Sequence, residues 1–213
     1  MNGNAKNNRV VILSACPVSP QMRDYLRNGD YIIACDAGYR NAAALQCSPD
    51  LVVGDFDSAP NPNFENTVIL PHEKDDTDTQ YAAAWAADNG AAQVLMLGAL
   101  GGKRLEHTIS NLSTGLYLEK RGVRAVLANE ESEIHYLMPG KKLVLEKEDW
   151  MYFSVFPLEG ELSGITIEGA YYPLQDAQLK MDYPLGVSNE FVQQHITLCC
   201  RQGTGIVILT KRD

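Results

Sequence analysis

The sequence predicts an α/β protein: a doubly wound, mostly parallel sheet domain over residues 9–130, followed by a small antiparallel β-sandwich domain over residues 131–213. Three observations predict it. Up to about residue 130, short unbroken apolar runs alternate with stretches of helical character, the pattern of strands covered on both faces. From residue 134 onward no helical period remains, and strand-like runs are divided by turn signals such as Pro139-Gly140, Glu159-Gly160 and Gln202-Gly203. Acidic and glycine-rich clusters follow the first-half runs directly, so a parallel sheet would carry them on one rim, at the carboxyl ends of its strands.

Residues 10–16 form the first apolar run. Ser19-Pro20 then offers an N-cap and a first-turn proline, and Gly29 a stop, for a helix between them. Residues 31–35 are the second strand, ending at Asp36-Ala37-Gly38, and an alanine-rich helical stretch occupies residues 40–45. Residues 51–53 and 68–70 read as the third and fourth strands. Thr77-Asp78-Thr79-Gln80 resembles a capping box whose helix runs through Tyr81, Ala84 and Trp85 to Asn89-Gly90. The fifth strand, residues 93–97, enters Gly98-Ala99-Leu100-Gly101-Gly102; a helix then reaches about Arg121-Gly122, and residues 123–128 make a sixth strand. In the second half, strands are expected over residues 142–145, 150–156, 164–167, 196–199 and 205–209.

A net charge of −9 disfavours a broad nucleic-acid surface. It leaves room for a small anionic substrate, because a metal ion inverts the local field. Five cysteines, an odd number without any Cys-x-x-Cys, read as buried free thiols in a reducing cytosol. The first eight residues are polar and lack the apolar core of a secretory signal, and no apolar run approaches a membrane span. A soluble, cytoplasmic protein with a short frayed tail is expected.

The residues that carry chemistry fall at the expected strand ends: Asp36 after the second strand, Asp55 and Asp57 after the third, Asp75 and Asp78 after the fourth, and Gly98, Gly101 and Gly102 after the fifth. Each has a plain structural reading: Asp36 as a helix cap, Gly-Asp-x-Asp as a turn, Asp78 as a first-turn charge that the macrodipole favours. Gathered on one rim they mean more. Two unit charges about 4 Å apart repel by roughly 4 kcal/mol at an effective dielectric of 20. Converging carboxylates must therefore protonate, face apart into water, or hold a cation. The last option suggests hard oxygen ligands for Mg²⁺ carrying a polyphosphate. The glycine loop brings backbone N–H groups to an anion at a helix start, with Lys103 and Arg104 adding positive charge beside it. His107 and Asn111, four apart, share one helix face.

Five motifs occur in the order seen in thiamine pyrophosphokinases: Asp36-Ala37-Gly38, Gly54-Asp55-Phe56-Asp57-Ser58, Lys74-Asp75-Asp76-Thr77-Asp78, the segment from Gly101 to His107, and Gly186-Val187-Ser188-Asn189-Glu190-Phe191. The chain resembles that family over nearly its whole length. The resemblance implies a nucleotide-binding α/β domain, a thiamine-binding β-sandwich, and transfer of the terminal diphosphate of Mg-ATP to the hydroxyl of thiamine, giving thiamine diphosphate and AMP. It implies Mg²⁺ and a homodimer with the vitamin bound between subunits. By resemblance Asp55, Asp57 and Asp78 match acids near the metal and phosphates. Asp75 and Asp36 line the same cleft, Arg104 and His107 belong to the nucleotide-side motif, and Ser188 and Asn189 lie near the vitamin. Three positions depart from the family pattern: Glu106 stands where Asp is common, Lys103 is an extra loop residue, and Ala37 replaces a glycine. Ala37 is harmless with a negative φ and disruptive with a positive one.

Two rival readings share these residues. One keeps the reaction and changes the acceptor, for instance to a hydroxymethylpterin. The other is a non-catalytic nucleotide or thiamine sensor, permitted by the altered glycine loop. Trp150, Tyr171, Tyr172 and Tyr183 are candidates to stack on a thiazolium cation, with core or interface packing as the plainer role of each.

Overall fold

The computed structural model describes residues 9–56, 64–71 and 76–212. The chain divides into two compact units, Met1–Glu130 and Glu131–Asp213.

Among the described residues of the first unit six strands, β1 (Arg9–Leu13), β2 (Tyr31–Cys35), β3 (Leu51–Gly54), β4 (Thr67–Ile69), β5 (Gln93–Leu97) and β6 (Arg124–Ala128), lie in the order β6-β5-β1-β2-β3-β4. Every adjacent pair among them is parallel. From β1 the chain steps outward through β2 and β3 to β4, then crosses back to place β5 on the other side of β1. The winding therefore reverses between β1 and β5. Val10 to Leu13 and Val94 to Leu97 are fully or almost fully buried, which is why these segments read as unbroken apolar runs.

Among the described residues three helices cover the sheet: α1 (Tyr39–Ala44), α2 (Asp78–Asp88) and α3 (Leu105–Lys120). α2 turns Ala82, Ala83 and Ala86 inward, and such short side chains let a helix approach a sheet closely. Its cap is half of the expected box. The Thr77 hydroxyl accepts from the Gln80 N–H at 3.1 Å, while the Gln80 side chain accepts from the Thr114 hydroxyl at 2.9 Å. The segment after Ser19 differs from expectation: residues Pro20–Tyr25 form a 3-10 helix, and the Ser19 side chain makes no cap bond. Its backbone N–H instead donates to Glu130 Oε1 at 2.6 Å. Met22 is the only residue this turn buries, and one anchor does not make the apolar stripe that an α-helix needs.

The second unit is a β-sandwich. One sheet has the order β12-β9-β14-β7, from β7 (Ser132–Leu137), β9 (Trp150–Pro157), β12 (Asn189–Glu190) and β14 (Gly205–Lys211). The other has the order β11-β10-β13-β8, from β8 (Lys142–Glu146), β10 (Glu161–Glu168), β11 (Leu174–Lys180) and β13 (His195–Cys199). The pairings within each are antiparallel. Trp150, Phe153, Val155 and Val207 of the first sheet share one apolar core with Leu162, Ile165, Ile196 and Leu198 of the second. Phe153 meets Phe191 edge to face, with ring centroids 5.4 Å apart. Strands β7, β11 and β12 were not expected from the sequence. No helix among the described residues is long and apolar enough to cross a membrane.

Candidate active site

A cleft of about 370 Å³ opens where the winding of the first unit reverses, the position at which open α/β sheets take ligands. Residues 14–17 after β1, Asp36 after β2, residues 77–79 at the start of α2, Gly98 and residues 101–104 after β5, and His107 and Asn111 from α3 line it. The structure thus brings Asp36, Asp78, Gly98, Gly101, Gly102, Arg104, His107 and Asn111 to one cavity.

The acids are placed by tight backbone geometry. Asp36 has φ 46°, and the positive angle in this turn falls on it and not on Ala37. The departure at residue 37 is therefore sterically harmless. Gly38 is the glycine the turn requires, because a Cβ there would lie 2.0 Å from the Leu13 carbonyl oxygen. At the end of β3 a Cβ on Gly54 would stand 3.1 Å from Asp36 Cα. The second and third strand ends therefore touch, and Asp55 follows at the next residue. Among the described residues the cleft wall takes Asp36 and Asp78 and not Asp55. Asp57 and Asp75, with Ser58 and Lys74, lie outside the described residues. Among those described, no three His, Cys, Asp or Glu side chains gather in a way that holds a metal ion.

Opposite chemistry comes from the segment after β5. Asn111, buried in α3, donates to the Ala99 carbonyl at 2.7 Å, so it braces the glycine loop from inside the protein. The Thr108 hydroxyl accepts from the Gly101 N–H at 3.1 Å, and the Cys16 thiol reaches the Gly101 carbonyl at 3.2 Å. Burial pushes that thiol above its ordinary pKa, which keeps it a neutral wall. Arg104 stands at the start of α3 without capping it, and the leading N–H groups of a helix are anion donors. The Arg104 Nε–H donates to Glu106 Oε1 at 2.7 Å. That bond holds the Glu106 carboxyl below the usual carboxylate range, although both side chains are exposed.

Sequence reasoning passed over residues 14–17, Thr79 and Asn41. The Ser14 and Thr79 hydroxyls share a buried hydrogen bond of 3.1 Å beneath the cleft. Position after a strand was the available signal for residues 14–17. It counts only once β1 is known to flank the reversal, which the strand order decides.

In the second unit a separate groove of about 480 Å³ is walled by Tyr171, Tyr172, Pro173, Leu185, Val187 and Asn189 among others. Asn189 is buried, and its amide is spent on the backbone: Oδ1 accepts from the Tyr172 N–H at 2.9 Å and Nδ2 donates to the Tyr172 carbonyl at 2.8 Å. It holds the tyrosine turn in place. Ser188, at φ 54°, donates its N–H to Ser154 Oγ at 3.0 Å and is not part of the groove wall. Of the four aromatic candidates, Trp150 is 6% exposed and belongs to the sandwich core, whereas Tyr171, Tyr172 and Tyr183 are more than half exposed. Tyr171 and Tyr172 contact each other edge to face.

Comparison with known proteins gives the family. A curated thiamine pyrophosphokinase of Bacillus subtilis (strain 168) is 25% identical over 196 residues, covering 89% of this chain and 91% of that one. The crystal structure of thiamin pyrophosphokinase from Geobacillus thermodenitrificans superposes with a TM-score of 0.85 at 25% identity, covering 96% of this chain and 98% of that one. The yeast enzyme shares the fold at 10% identity, with a TM-score of 0.79 over 99% of this chain and 88% of its own. The family model described as thiamin pyrophosphokinase, catalytic domain, matches residues 22–127, and the one described as thiamin pyrophosphokinase, vitamin B1 binding domain, matches residues 142–204. Matched by both of that family's domains in their order, the chain belongs to the thiamin pyrophosphokinase family.

Proposed function

We propose that this chain is an ATP:thiamine diphosphotransferase that holds the nucleotide in the cleft of the first unit. The observation that carries the proposal is the cleft itself. It lies at the winding reversal and joins Asp36 and Asp78 to the glycine loop, Lys103 and Arg104. In the reaction the thiamine hydroxyl oxygen attacks the β-phosphorus of ATP. The bridge between α- and β-phosphates breaks, AMP leaves with the bridging oxygen, and the hydroxyl proton passes to a carboxylate of the rim. Such a transfer asks for alignment and charge neutralisation more than covalent help. Loop N–H groups, Lys103 and Arg104 supply the neutralisation, and the braced loop supplies the alignment.

Carboxylate oxygens are hard donors, and that chemistry fits Mg²⁺. Asp55, Asp57 and Asp78 are the residues we assign to hold it, with Asp75 assigned to the same catalytic set and Asp36 lining the cleft. When bound, the ion would neutralise polyphosphate charge. The acceptor belongs to the second unit, whose groove offers two tyrosine faces to a cationic ring, next to Ser188 and Asn189. Tyr171, Tyr172, Leu185 and Val187 stand exposed around that groove, apolar side chains of the kind a partner covers. They support a homodimer with the vitamin site at the subunit interface. A cytoplasmic setting goes with the buried thiols of Cys35 and Cys200.

The test mixes the protein with Mg-ATP and thiamine. AMP and thiamine diphosphate are expected in equal amounts; ADP with thiamine monophosphate would refute diphosphoryl transfer. A hydroxymethylpterin added as competing acceptor should remain unmodified, and its preferential conversion would move the assignment to another acceptor.

A further inference from the structure

We propose that Asn41 is the positioning residue of the nucleotide cleft, although it lies outside the cleft wall. Its amide joins the two backbone segments from which the cleft is built. Asn41 sits in α1, 5% exposed. Its Nδ2 donates one hydrogen to the Ser14 carbonyl and the other to the Cys16 carbonyl, each at 2.7 Å. Its Oδ1 accepts from the Val18 N–H at 3.2 Å. One side chain therefore satisfies three backbone groups of the segment after β1. A neutral primary amide is the side-chain group with two donors and an acceptor in so small a volume.

A second observation places the glycine loop in the same knot. Gly98 has φ 66°, and a Cβ there would meet the Cys16 carbonyl oxygen at 2.5 Å, the Ser14 carbonyl oxygen at 2.6 Å and Asn41 Nδ2 at 2.8 Å. The atoms that Asn41 ties together are those on which Gly98 rests. Backbone bonds close the arrangement: the Ser14 N–H donates to the Leu97 carbonyl at 2.8 Å, and the Cys16 N–H to the Gly98 carbonyl at 3.0 Å. Segments following β1 and β5 thus flank the winding reversal as one rigid piece. Such preorganisation serves the transfer by fixing donors before the polyphosphate arrives. Asn41 acts through residues 14–17 and Gly98 and touches no substrate itself.

This inference rests on the nucleotide reading of the cleft, and the wild-type protein assayed alongside keeps the two separable. If wild type fails to make AMP and thiamine diphosphate, that reading fails. If wild type turns over, the Asn41 variants decide the inference. Asn41→Asp keeps the shape and the acceptor but sets a carboxylate against two carbonyl oxygens. Asn41→Ser is neutral and smaller. In each, the KM for Mg-ATP should rise at least tenfold while the KM for thiamine stays within twofold, and the gain in Tm on adding Mg-ATP should shrink. A folded variant with wild-type KM for Mg-ATP overturns the proposal. So does an equal loss in every kinetic parameter that merely tracks the folded fraction. Should neither variant fold, amide hydrogen exchange on nucleotide-free wild type decides. Slow exchange of the Cys16 and Val18 amides, little changed by Mg-ATP, is expected of a wall already fixed, and fast exchange that slows only with nucleotide would overturn it.

Discussion

The cleft of the first unit and the groove of the second are built on opposite plans. The cleft is made largely of loop backbone at the ends of buried parallel strands, so its shape depends on hydrogen bonds reaching in from behind: Asn41 to Ser14 and Cys16, Asn111 to Ala99, Thr108 to Gly101. The groove is made of side chains, Tyr171, Tyr172, Leu185 and Val187, on an antiparallel sandwich. Yet a buried asparagine stands behind it too, with Asn189 clasping both backbone groups of Tyr172. The difference teaches where each wall is vulnerable. Removing a side chain from the groove removes the wall itself, whereas in the cleft the damaging changes sit one layer back or carry charge.

The largest expected effect tests what the groove stands on. Phe153 is fully buried in the sandwich core against Phe191. Phe153→Ala should cost about 3–5 kcal/mol of stability, read from urea unfolding. A loss under about 1 kcal/mol would mean that the sandwich is not a consolidated core, and the contrast drawn above would collapse.

Next in size is a charge in the cleft. Asp78 lines it at the first turn of α2. Asp78→Asn should lower kcat/KM roughly 100-fold, the scale of losing one electrostatic partner of a transition state, while stability falls by no more than about 1 kcal/mol from the lost helix-dipole term. Matching losses in both would reduce Asp78 to a helix-start charge. Smaller again is Tyr172→Ala, which removes an aromatic face from the groove but leaves the backbone bonds to Asn189 possible. The KM for thiamine should rise about tenfold, or about 1.4 kcal/mol, with the KM for Mg-ATP unchanged. A shift in both constants would show that the two walls are not separate in function.

How much of this was legible beforehand follows the same divide. Strands β2 and β5 begin and end where their apolar runs do, Tyr31–Cys35 and Gln93–Leu97, because a strand buried on both faces writes itself as a continuous run. β11, Leu-Gln-Asp-Ala-Gln-Leu-Lys, is an edge strand buried almost nowhere along its length, so it carries no such mark. β7 hides behind Ser132, Glu133 and His135. The fold class and the family motifs were readable because they are local. Roles that depend on distant partners were not. Asn41 bonds to carbonyls 25 and 27 residues away, and nothing adjacent to it announces them. The bonds by which Asn189 clasps Tyr172, 17 residues away, were equally unannounced. The positive φ in the Asp36-Ala37-Gly38 turn sits on the aspartate, a residue type that tolerates the left-handed region better than most.

The smallest effect is expected at one of the three departures from the family pattern, Glu106. Its carboxylate accepts from the Arg104 Nε–H at 2.7 Å on the rim, both side chains facing water. An exposed pair of this kind contributes little to stability, because solvent screens it and two long side chains must be ordered to form it. The hydrogen bond from Arg104 does lower the Glu106 pKa. A carboxyl held low in the folded state favours folding above its unfolded value and loses that effect as pH falls through the folded value. The pair should therefore persist through the range where an ordinary glutamate begins to protonate. Nε is also the guanidinium nitrogen that leaves the two terminal NH₂ groups of Arg104 available to a phosphate. Glu106→Gln should thus leave Tm unchanged and alter the KM for Mg-ATP less than threefold. A large rise in that KM for the variant would make Glu106 an active part of the cleft. The line between a wall built of backbone and a rim of interchangeable charges would then have to be redrawn one residue further into α3.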